Sequence, residues 1–155
     1  MQVSRSVISM EDVVQLVQVQ LRNGGIAQLN VTGYSMMPLL YHRRDRVQLA
    51  PATGDEKVGD VIFYRRDNGR YILHRIIQVT QDGYICCGDN QAEKEKVARQ
   101  QLIAVMTAFT RNGKVYDISG WGYRLYTALW VKLFWLRPAY ISLRRRLGCL
   151  MHKPR

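Results

Sequence analysis

The amino-acid sequence predicts a mostly β protein, in which an antiparallel β domain lies between a short N-terminal helix and a basic, amphipathic helical tail. Three observations predict this class. Short apolar runs separated by turn residues occupy most of positions 26–115, a pattern typical of antiparallel sheets and barrels. A helix-spaced apolar pattern precedes these runs, and a second one follows them. We therefore divide the chain into a helical segment (1–28), a β domain (29–118) and a tail (119–155).

The composition is that of one globular domain. With 155 residues, of which 47% are hydrophobic and 23% charged, the chain can bury one main core and is too apolar to be disordered. Its net charge of +11 makes nucleic acid and anionic membranes candidate partners. Residues 120–155 contain eight basic residues and no acidic one, so most of the excess charge lies in the tail.

The N-terminal helix is predicted by a cap, an apolar face and a stop. Ser9 and Asp12 have the spacing of a capping box. Five aliphatic residues follow at helical spacing: Val13, Val14, Leu16, Val17 and Leu21. Asn23-Gly24-Gly25 should end the helix. A single helix lacks the second, recognition helix of a helix-turn-helix DNA-binding module.

Six runs should form the strands of the β domain. In chain order they read IAQLNVTG, RVQLAP, DVIFYRR, RYILHRIIQVT, GYICCGD and LIAVMTAFT. Asp67-Asn68-Gly69 predicts a tight hairpin turn between the third and fourth runs. Asp82-Gly83 and Asn112-Gly113 are turn signals of the same kind.

The tail should contain two helices. Between Trp121 and Leu136 the polar residues fall on one arc of a helix, and apolar residues cover the rest. Pro138 should kink or end this helix, and a second helix-spaced apolar set follows beside the triple arginine at 144–146. The apolar stretch is too short and too interrupted to span a bilayer.

The tail has three competing interpretations. Its helices can pack on the β domain and leave the basic residues solvated. Alternatively, the aromatic residues can enter the boundary of an anionic membrane while the arginines meet its headgroups. These aromatic residues are Trp121, Trp130, Phe134 and Trp135. Nucleic-acid binding is disfavoured, because the aromatic residues lie on a broad apolar face and do not alternate with the arginines.

The sequence predicts a reducing compartment and no bound cofactor. The three cysteines and three histidines lack the spacing of metal ligands: Cys86, Cys87, Cys149, His42, His74 and His152. An adjacent cysteine pair is also poor disulfide geometry. Residues 1–10 do not resemble a secretory signal. We therefore expect a cytoplasmic protein, held at the inner face of the membrane if the tail binds lipid.

Two residues have the chemistry of a nucleophile and its base. Ser35 lies between Gly33, which would let a substrate backbone approach, and Pro38, which would hold the chain in a turn. His74 lies in the fourth run, on a face with aliphatic neighbours. The alternatives are a turn serine and a buried structural histidine. Spacing alone does not decide between these interpretations.

Four ordered motifs connect these residues to a known family. They are Thr32-Gly33-Tyr34-Ser35-Met36-Met37-Pro38, Val58-Gly59-Asp60-Val61-Ile62, Leu73-His74-Arg75-Ile76-Ile77 and Gly88-Asp89-Asn90. In this order they resemble the superfamily of type I signal peptidases and the self-cleaving peptidases of SOS repressors. The first motif matches the nucleophile box S-G-x-S-M-x-P, with Thr32 for its leading serine, and the last matches the G-D-N box. The resemblance covers residues 29–115.

The resemblance implies a complex antiparallel β peptidase fold and a hydrolase, a serine endopeptidase that cleaves a peptide or protein precursor. Ser35 would attack the peptide carbonyl, and Gly33 and Met36 would lie in the oxyanion and substrate-binding region. His74 would be the general base, in the place where bacterial signal peptidases and the repressors have a lysine. The chain is therefore most similar in its motifs to the histidine-type signal peptidases.

A third group should orient His74 and stabilise its charged form. In the histidine-type signal peptidases this is an aspartate at or shortly after the G-D-N box, which favours Asp89 here. Glu93 and Glu95 are the alternatives, since no aspartate follows the box. The competing interpretation of Asp89 is a turn aspartate bonded to its own backbone.

Departures from both subfamilies keep a second function open. The sequence predicts neither the N-terminal membrane anchor of the signal peptidases nor the DNA-binding domain and Ala-Gly or Cys-Gly cleavage site of the repressors. The alternative function is a catalytically inactive module of the same fold, which tethers a peptide or partner protein to a membrane surface.

Overall fold

The computed structural model describes residues 9–151, and side chains over residues 9–144. Residues 1–8, which carry most of the expectation about a secretory signal, lie outside it. Several residues used in the sequence predictions for the tail also lie outside the described side chains: Arg145, Arg146, Leu147, Cys149, Leu150, His152, Lys153 and Arg155. The described part is a mostly antiparallel β structure with helices at both ends, as the sequence predicts.

Three helices and eight strands make up the described residues. The helices are α1 (Met10–Arg22), α2 (Trp121–Lys132) and α3 (Arg137–Met151). The strands are β1 (Ala27–Asn30), β2 (Asp45–Pro51), β3 (Val61–Arg65), β4 (Tyr71–Val79), β5 (Gly83–Cys87), β6 (Glu95–Ala98), β7 (Leu102–Arg111) and β8 (Lys114–Asp117). Short 3-10 turns lie at Arg99–Gln101 and Phe134–Leu136.

The strands form one sheet in the order β1-β2-β7-β3-β4-β5-β6, with β8 paired to β7. Every strand pair is antiparallel. Register shifts in the β2–β7, β3–β7 and β4–β5 pairs mark irregularities, and such bulges bend a sheet and increase its twist. The long strand β7 pairs with β2, β3 and β8 and so joins the parts of the sheet.

Each of the six predicted runs contains all or most of a strand, and the three turn signals lie where consecutive strands are joined. The sequence prediction missed β6 and β8. In β6, Glu95 and Lys96 replace the alternation of apolar residues, and in β8 all four residues are exposed. Neither strand therefore has the half-buried pattern by which strands are recognised.

Helix α1 begins and ends as predicted. The Asp12 N–H donates to the Ser9 hydroxyl, and the Ser9 N–H donates to the Asp12 carboxylate, both at 3.1 Å. This completes the capping box. The buried face of α1 consists of Val14, Val17 and Leu21. It packs against β1 and β2 as part of the main core.

Two of the strand edges that have no partner strand within the described residues belong to β1 and β4. β1 pairs only with β2, and residues 71–73 of β4 pair only with β3. Four antiparallel steps separate β1 from β4, so these two strands run in the same direction. The chain leaves β1 toward Ser35, and β4 continues from residue 73 into His74.

The break between the tail helices differs from the sequence prediction. α2 ends at Lys132, and Pro138 lies in the first turn of α3. Proline is tolerated there because the N–H groups of the first turn have no intrahelical acceptor. The expectation that Pro138 ends or kinks the first helix is therefore wrong. None of the described helices is long and apolar enough to cross a membrane.

Candidate active site

Ser35 lies in the turn that follows β1. It is half-buried, and its carbonyl oxygen accepts a hydrogen bond from the N–H of Asn90 at 2.7 Å. The side-chain amide of Asn90 donates to the carbonyl oxygen of Tyr34 at 3.1 Å. The G-D-N turn is therefore bound directly to the backbone that carries the candidate nucleophile.

His74 is buried on β4, with 2% of its surface exposed. Its Nδ1 lies 2.7 Å from Oε1 of Glu95, the first residue of β6. The Tyr64 hydroxyl lies 3.2 Å from the same nitrogen. The sheet therefore brings a histidine, a carboxylate and a tyrosine from β4, β6 and β3 into one cluster.

Glu95 is held as an ionised acceptor in this cluster. Nε and Nη2 of Arg66 donate to its two oxygens at 2.6 and 2.9 Å, and the Tyr64 hydroxyl donates to Oε1. Burial alone would raise the pKa of this carboxyl, but hydrogen bonds from His74, Arg66 and Tyr64 outweigh burial and hold the pKa well below its usual range. Burial and the facing carboxylate raise the pKa of Tyr64, so its hydroxyl stays protonated.

The ionised carboxylate fixes the tautomer of His74. A carboxylate without a proton can only accept hydrogen bonds, so Nδ1 of the imidazole must carry the hydrogen that it donates to Glu95. The lone pair of the neutral ring is then on Nε2. The ring nitrogen that can accept a proton is therefore the one directed away from the carboxylate.

Nε2 of His74 and the backbone of Ser35 meet at Gly88. A β-carbon added at Gly88 would lie 3.0 Å from Nε2 and 2.7 Å from the carbonyl oxygen of Ser35. The described hydrogen-bond partners of the imidazole are Glu95 and Tyr64, so the Ser35 hydroxyl is not bonded to the ring. Catalytic hydrogen bonds are often long in unliganded enzymes. The structure therefore brings the two predicted residues to one place without joining them.

Asp89 does not make the contact expected of an orienting group. Asp89 and Arg75 are both fully buried, and Nε and Nη2 of Arg75 donate to the two carboxylate oxygens at 2.8 and 2.7 Å. Consecutive residues of a strand face opposite sides, so a carboxylate paired with Arg75 lies on the other side of β4 from His74. Glu95 makes the expected contact, whereas the side chain of Glu93 is exposed.

The buried arginine also connects the second sequence motif to the tail. Nη1 of Arg75 donates to the carbonyl oxygen of Gly59 at 2.7 Å and to the Thr127 hydroxyl of α2 at 3.0 Å. The Tyr126 hydroxyl, also on α2, donates to Asp89 at 3.0 Å. Burial would lower the pKa of Arg75, but the facing carboxylate of Asp89 raises it, so the pair remains ionised.

The two tail helices bind the G-D-N turn. Nε1 of Trp130 donates to the carbonyl oxygen of Asp89 at 3.1 Å. The buried Arg137, which begins α3, donates from Nη1 to the carbonyl oxygen of Gly88 at 3.1 Å. These contacts agree with the interpretation that the tail packs on the β domain. They also support the turn that lies between the candidate nucleophile and the imidazole.

Gly33 and Met36 have different environments. The N–H of Gly33 donates to Nδ1 of His42 at 2.9 Å, so this N–H is not available to an oxyanion. Its φ of 91° favours glycine. Met36 is 3% exposed and belongs to the main core. Among the described residues, no acceptor is bonded to the N–H groups of Ser35 or Met36.

A groove beside Ser35 runs between the two unpaired strand edges. It has a volume of about 380 Å³ and is lined by both edges, by the turn and by α1. The lining residues are Met10, Val13, Gln28, Leu29, Asn30, Val31, Thr32, Gly33, Ser35, Met36, Val47, Phe63, Tyr71, Ile72 and Leu73. Most of them are apolar. Free backbone N–H and C=O groups along the two edges can pair with an extended peptide.

Sequence reasoning missed two members of the cluster, Tyr64 and Arg66. Both lie in the third predicted run, where period-two alternation places them on one face. That pattern does not reveal their partner, because Glu95 lies far along the chain in a strand that the sequence pattern did not predict.

Gly88→Ala tests whether the contact of Gly88 with Ser35 and His74 is tight. The nearest atom to the added methyl group is a backbone oxygen, which cannot move aside as a flexible side chain would. We expect the free energy of unfolding to fall by about 1–3 kcal/mol, the usual cost of overpacking, in urea denaturation. Gly122→Ala is the control, because nothing lies within 4 Å of its added β-carbon. Equal stability of the two variants would contradict the contact.

Asp89→Ala tests the structural role of that carboxylate. The substitution leaves Arg75 charged and buried without its partner, so we expect a loss of about 3–5 kcal/mol in the free energy of unfolding. Asp55→Ala removes an exposed carboxylate and should change stability by no more than about 0.5 kcal/mol. If Asp89→Ala is as stable as the control, Asp89 is not the partner that holds Arg75.

No protein family, curated protein or solved structure matches the chain. Within residues 9–151, no group of three or more histidine, cysteine, aspartate or glutamate residues is arranged to hold a metal ion.

Proposed function

We propose that the protein is a serine endopeptidase of the signal-peptidase-like superfamily that cleaves a peptide or protein precursor. Ser35 is the nucleophile, His74 is the general base and Glu95 orients the base. The observation that carries the proposal is the hydrogen bond from Nδ1 of His74 to an ionised carboxylate, at 2.7 Å. This bond leaves the basic Nε2 beside the turn that contains Ser35.

The proposed reaction follows from the assignment of the two imidazole nitrogens. Nε2 of His74 removes the proton from the Ser35 hydroxyl as the oxygen attacks the carbonyl carbon of the peptide bond. The imidazolium that forms is stabilised by Glu95, which keeps its own negative charge. His74 then gives the proton to the leaving amine, and water hydrolyses the acyl group from Ser35 with the same base.

The oxyanion is assigned to backbone donors next to the nucleophile. The N–H groups of Ser35 and Met36 have no described acceptor, which leaves them free to bind the developing negative charge. The N–H of Gly33 is already bonded to His42. Gly33 therefore contributes to this site by the shape of the turn and as part of the groove wall.

The groove supports an extended peptide as the substrate. β1 and β4 run in the same direction, so a strand inserted between them would be parallel to both or antiparallel to both. Successive side chains of such a peptide would point alternately to opposite sides. The apolar lining favours apolar substrate side chains on the side that faces the core.

The test is cleavage of a peptide library by the purified protein, with products identified by mass spectrometry. We expect Ser35→Ala to abolish cleavage, together with covalent labelling by a serine-directed probe. Glu95→Gln keeps the size of the side chain but removes its charge, and should lower the cleavage rate by about 10²–10⁴-fold.

Two matched variants control this experiment. Glu93→Gln makes the same chemical change two residues away, at an exposed site, and Ser142→Ala removes an exposed hydroxyl from α3. Both should cleave at the rate of the unmodified protein. Cleavage that persists in Ser35→Ala, or that falls equally in Glu93→Gln and Glu95→Gln, contradicts the proposed mechanism.

A binding module is the second candidate function. It is favoured by the absence of a hydrogen bond between the Ser35 hydroxyl and His74 in the described structure. The unpaired edges of β1 and β4 would hold an extended peptide without cleaving it. In that case library peptides would be retained intact, and Ser35→Ala would bind the same peptides as the unmodified protein.

A further inference from the structure

The tail helices expose a continuous apolar surface that the β domain does not cover. Trp121, Leu125, Leu129 and Leu133 are exposed and recur every fourth residue along α2 and its C-terminal end. Residues at this spacing lie on one side of a helix. Leu136 and Tyr140, also exposed, extend the set to α3. We call these six residues the tail face.

Four residues of the tail face line an apolar groove between the two helices. The groove has a volume of about 400 Å³, and Leu129, Leu133, Leu136 and Tyr140 are among its lining residues. Trp135, in the turn that joins the helices, is 72% exposed, and Trp121 is 82% exposed. Large apolar side chains with this exposure mark an interaction surface when they are contiguous.

Other residues of the same helices, which also line this groove, are hydrogen-bonded to the β domain. Tyr126 and Trp130 of α2 donate to Asp89, and Arg137 of α3 donates to Gly88. These contacts fix the orientation of both helices. The tail face therefore cannot turn inward without breaking buried hydrogen bonds, and it remains directed away from the domain.

The charge of the tail indicates what covers this face. Residues 120–155 contain eight basic residues and no acidic one. Of these, Arg124 and Lys132 are exposed on α2. A second copy of the chain would bring two such tails together, and like charges oppose that contact. An anionic lipid surface offers apolar chains to the leucines and negative headgroups to the basic residues.

We propose that the tail face binds the surface of an anionic lipid bilayer, with α2 and α3 lying in the plane of the interface. Tryptophan is enriched at the boundary between headgroups and acyl chains, which suits the exposure of Trp121 and Trp135. The inference does not depend on the proposed peptidase activity. It differs from a spanning anchor because the binding is peripheral and reversible.

The experiment is flotation of the purified 155-residue chain with phospholipid vesicles. We expect the protein to float with vesicles of phosphatidylcholine and phosphatidylglycerol, and to stay behind with phosphatidylcholine alone. Raising the salt concentration from about 0.1 M to about 1 M shortens the screening length from about 10 Å to about 3 Å. Partitioning onto the anionic vesicles should fall accordingly.

Two sets of variants assign the binding to the tail face. The triple variant Leu125→Gln, Leu129→Gln, Leu133→Gln should lower partitioning at least about tenfold, because it removes most of the apolar contact from α2. Its control is Leu16→Gln, Val19→Gln, Ile26→Gln, which changes three exposed apolar residues near the N-terminus. The control should partition like the unmodified protein.

The second set tests the charges. Arg124→Gln with Lys132→Gln should weaken partitioning by about thirtyfold, whereas Lys57→Gln with Arg70→Gln, at exposed sites of the β domain, should not. Circular dichroism verifies that each variant is folded. The proposal is overturned if the protein binds neutral vesicles as strongly as anionic ones, or if the triple variant partitions like the unmodified protein. A dimer of the unmodified protein that the triple variant converts to a monomer also overturns it, because this assigns the face to a second copy.

Discussion

The hydrogen bond between His74 and Glu95 is the interaction on which the candidate site depends. This bond joins β4 to β6, although β5 lies between them in the sheet. The contact therefore depends on the register of the β4–β5 pair and of the β5–β6 pair. Tyr64 and Arg66 complete the carboxylate's set of donors from β3 and the residue after it. A half-buried carboxylate with this many donors remains ionised, and the ionised carboxylate determines which nitrogen of the imidazole is basic.

The G-D-N turn is the second constraint, because three parts of the chain meet there. Asn90 binds the backbone of Ser35, Gly88 leaves room for the imidazole, and Asp89 joins the buried Arg75. The tail helices bind the carbonyl groups of the same turn. The surface for which we propose lipid binding and the candidate active site are therefore both attached to this turn.

Much of the fold follows from local sequence signals, because a strand or helix with one buried face has apolar residues at regular spacing in its sequence. The cap at Ser9 and the turn at Asp67-Asn68-Gly69 are local in the same sense. Residues in β6 and β8 gave no such signal, since their neighbours in the sheet determine their conformation.

The site was less predictable than the fold. The choice among Asp89, Glu93 and Glu95 depends on which side of β4 each carboxylate reaches, and that is a property of strand pairing between distant segments. The proximity of Ser35 and His74 was an expectation from the ordered motifs, and their common contact with Gly88 supports it.

The tautomer of His74 tests the central claim most directly. Long-range proton–nitrogen NMR correlations of protein labelled with ¹⁵N-histidine distinguish the two ring nitrogens, and His74→Gln identifies the signals of His74. At a pH where the ring is neutral, we predict hydrogen on Nδ1 and a lone pair on Nε2. His42 provides an internal contrast, because its Nδ1 accepts a hydrogen bond from Gly33 and its hydrogen must be on Nε2. Hydrogen on Nε2 of His74 would contradict the account, since no base would then face Ser35.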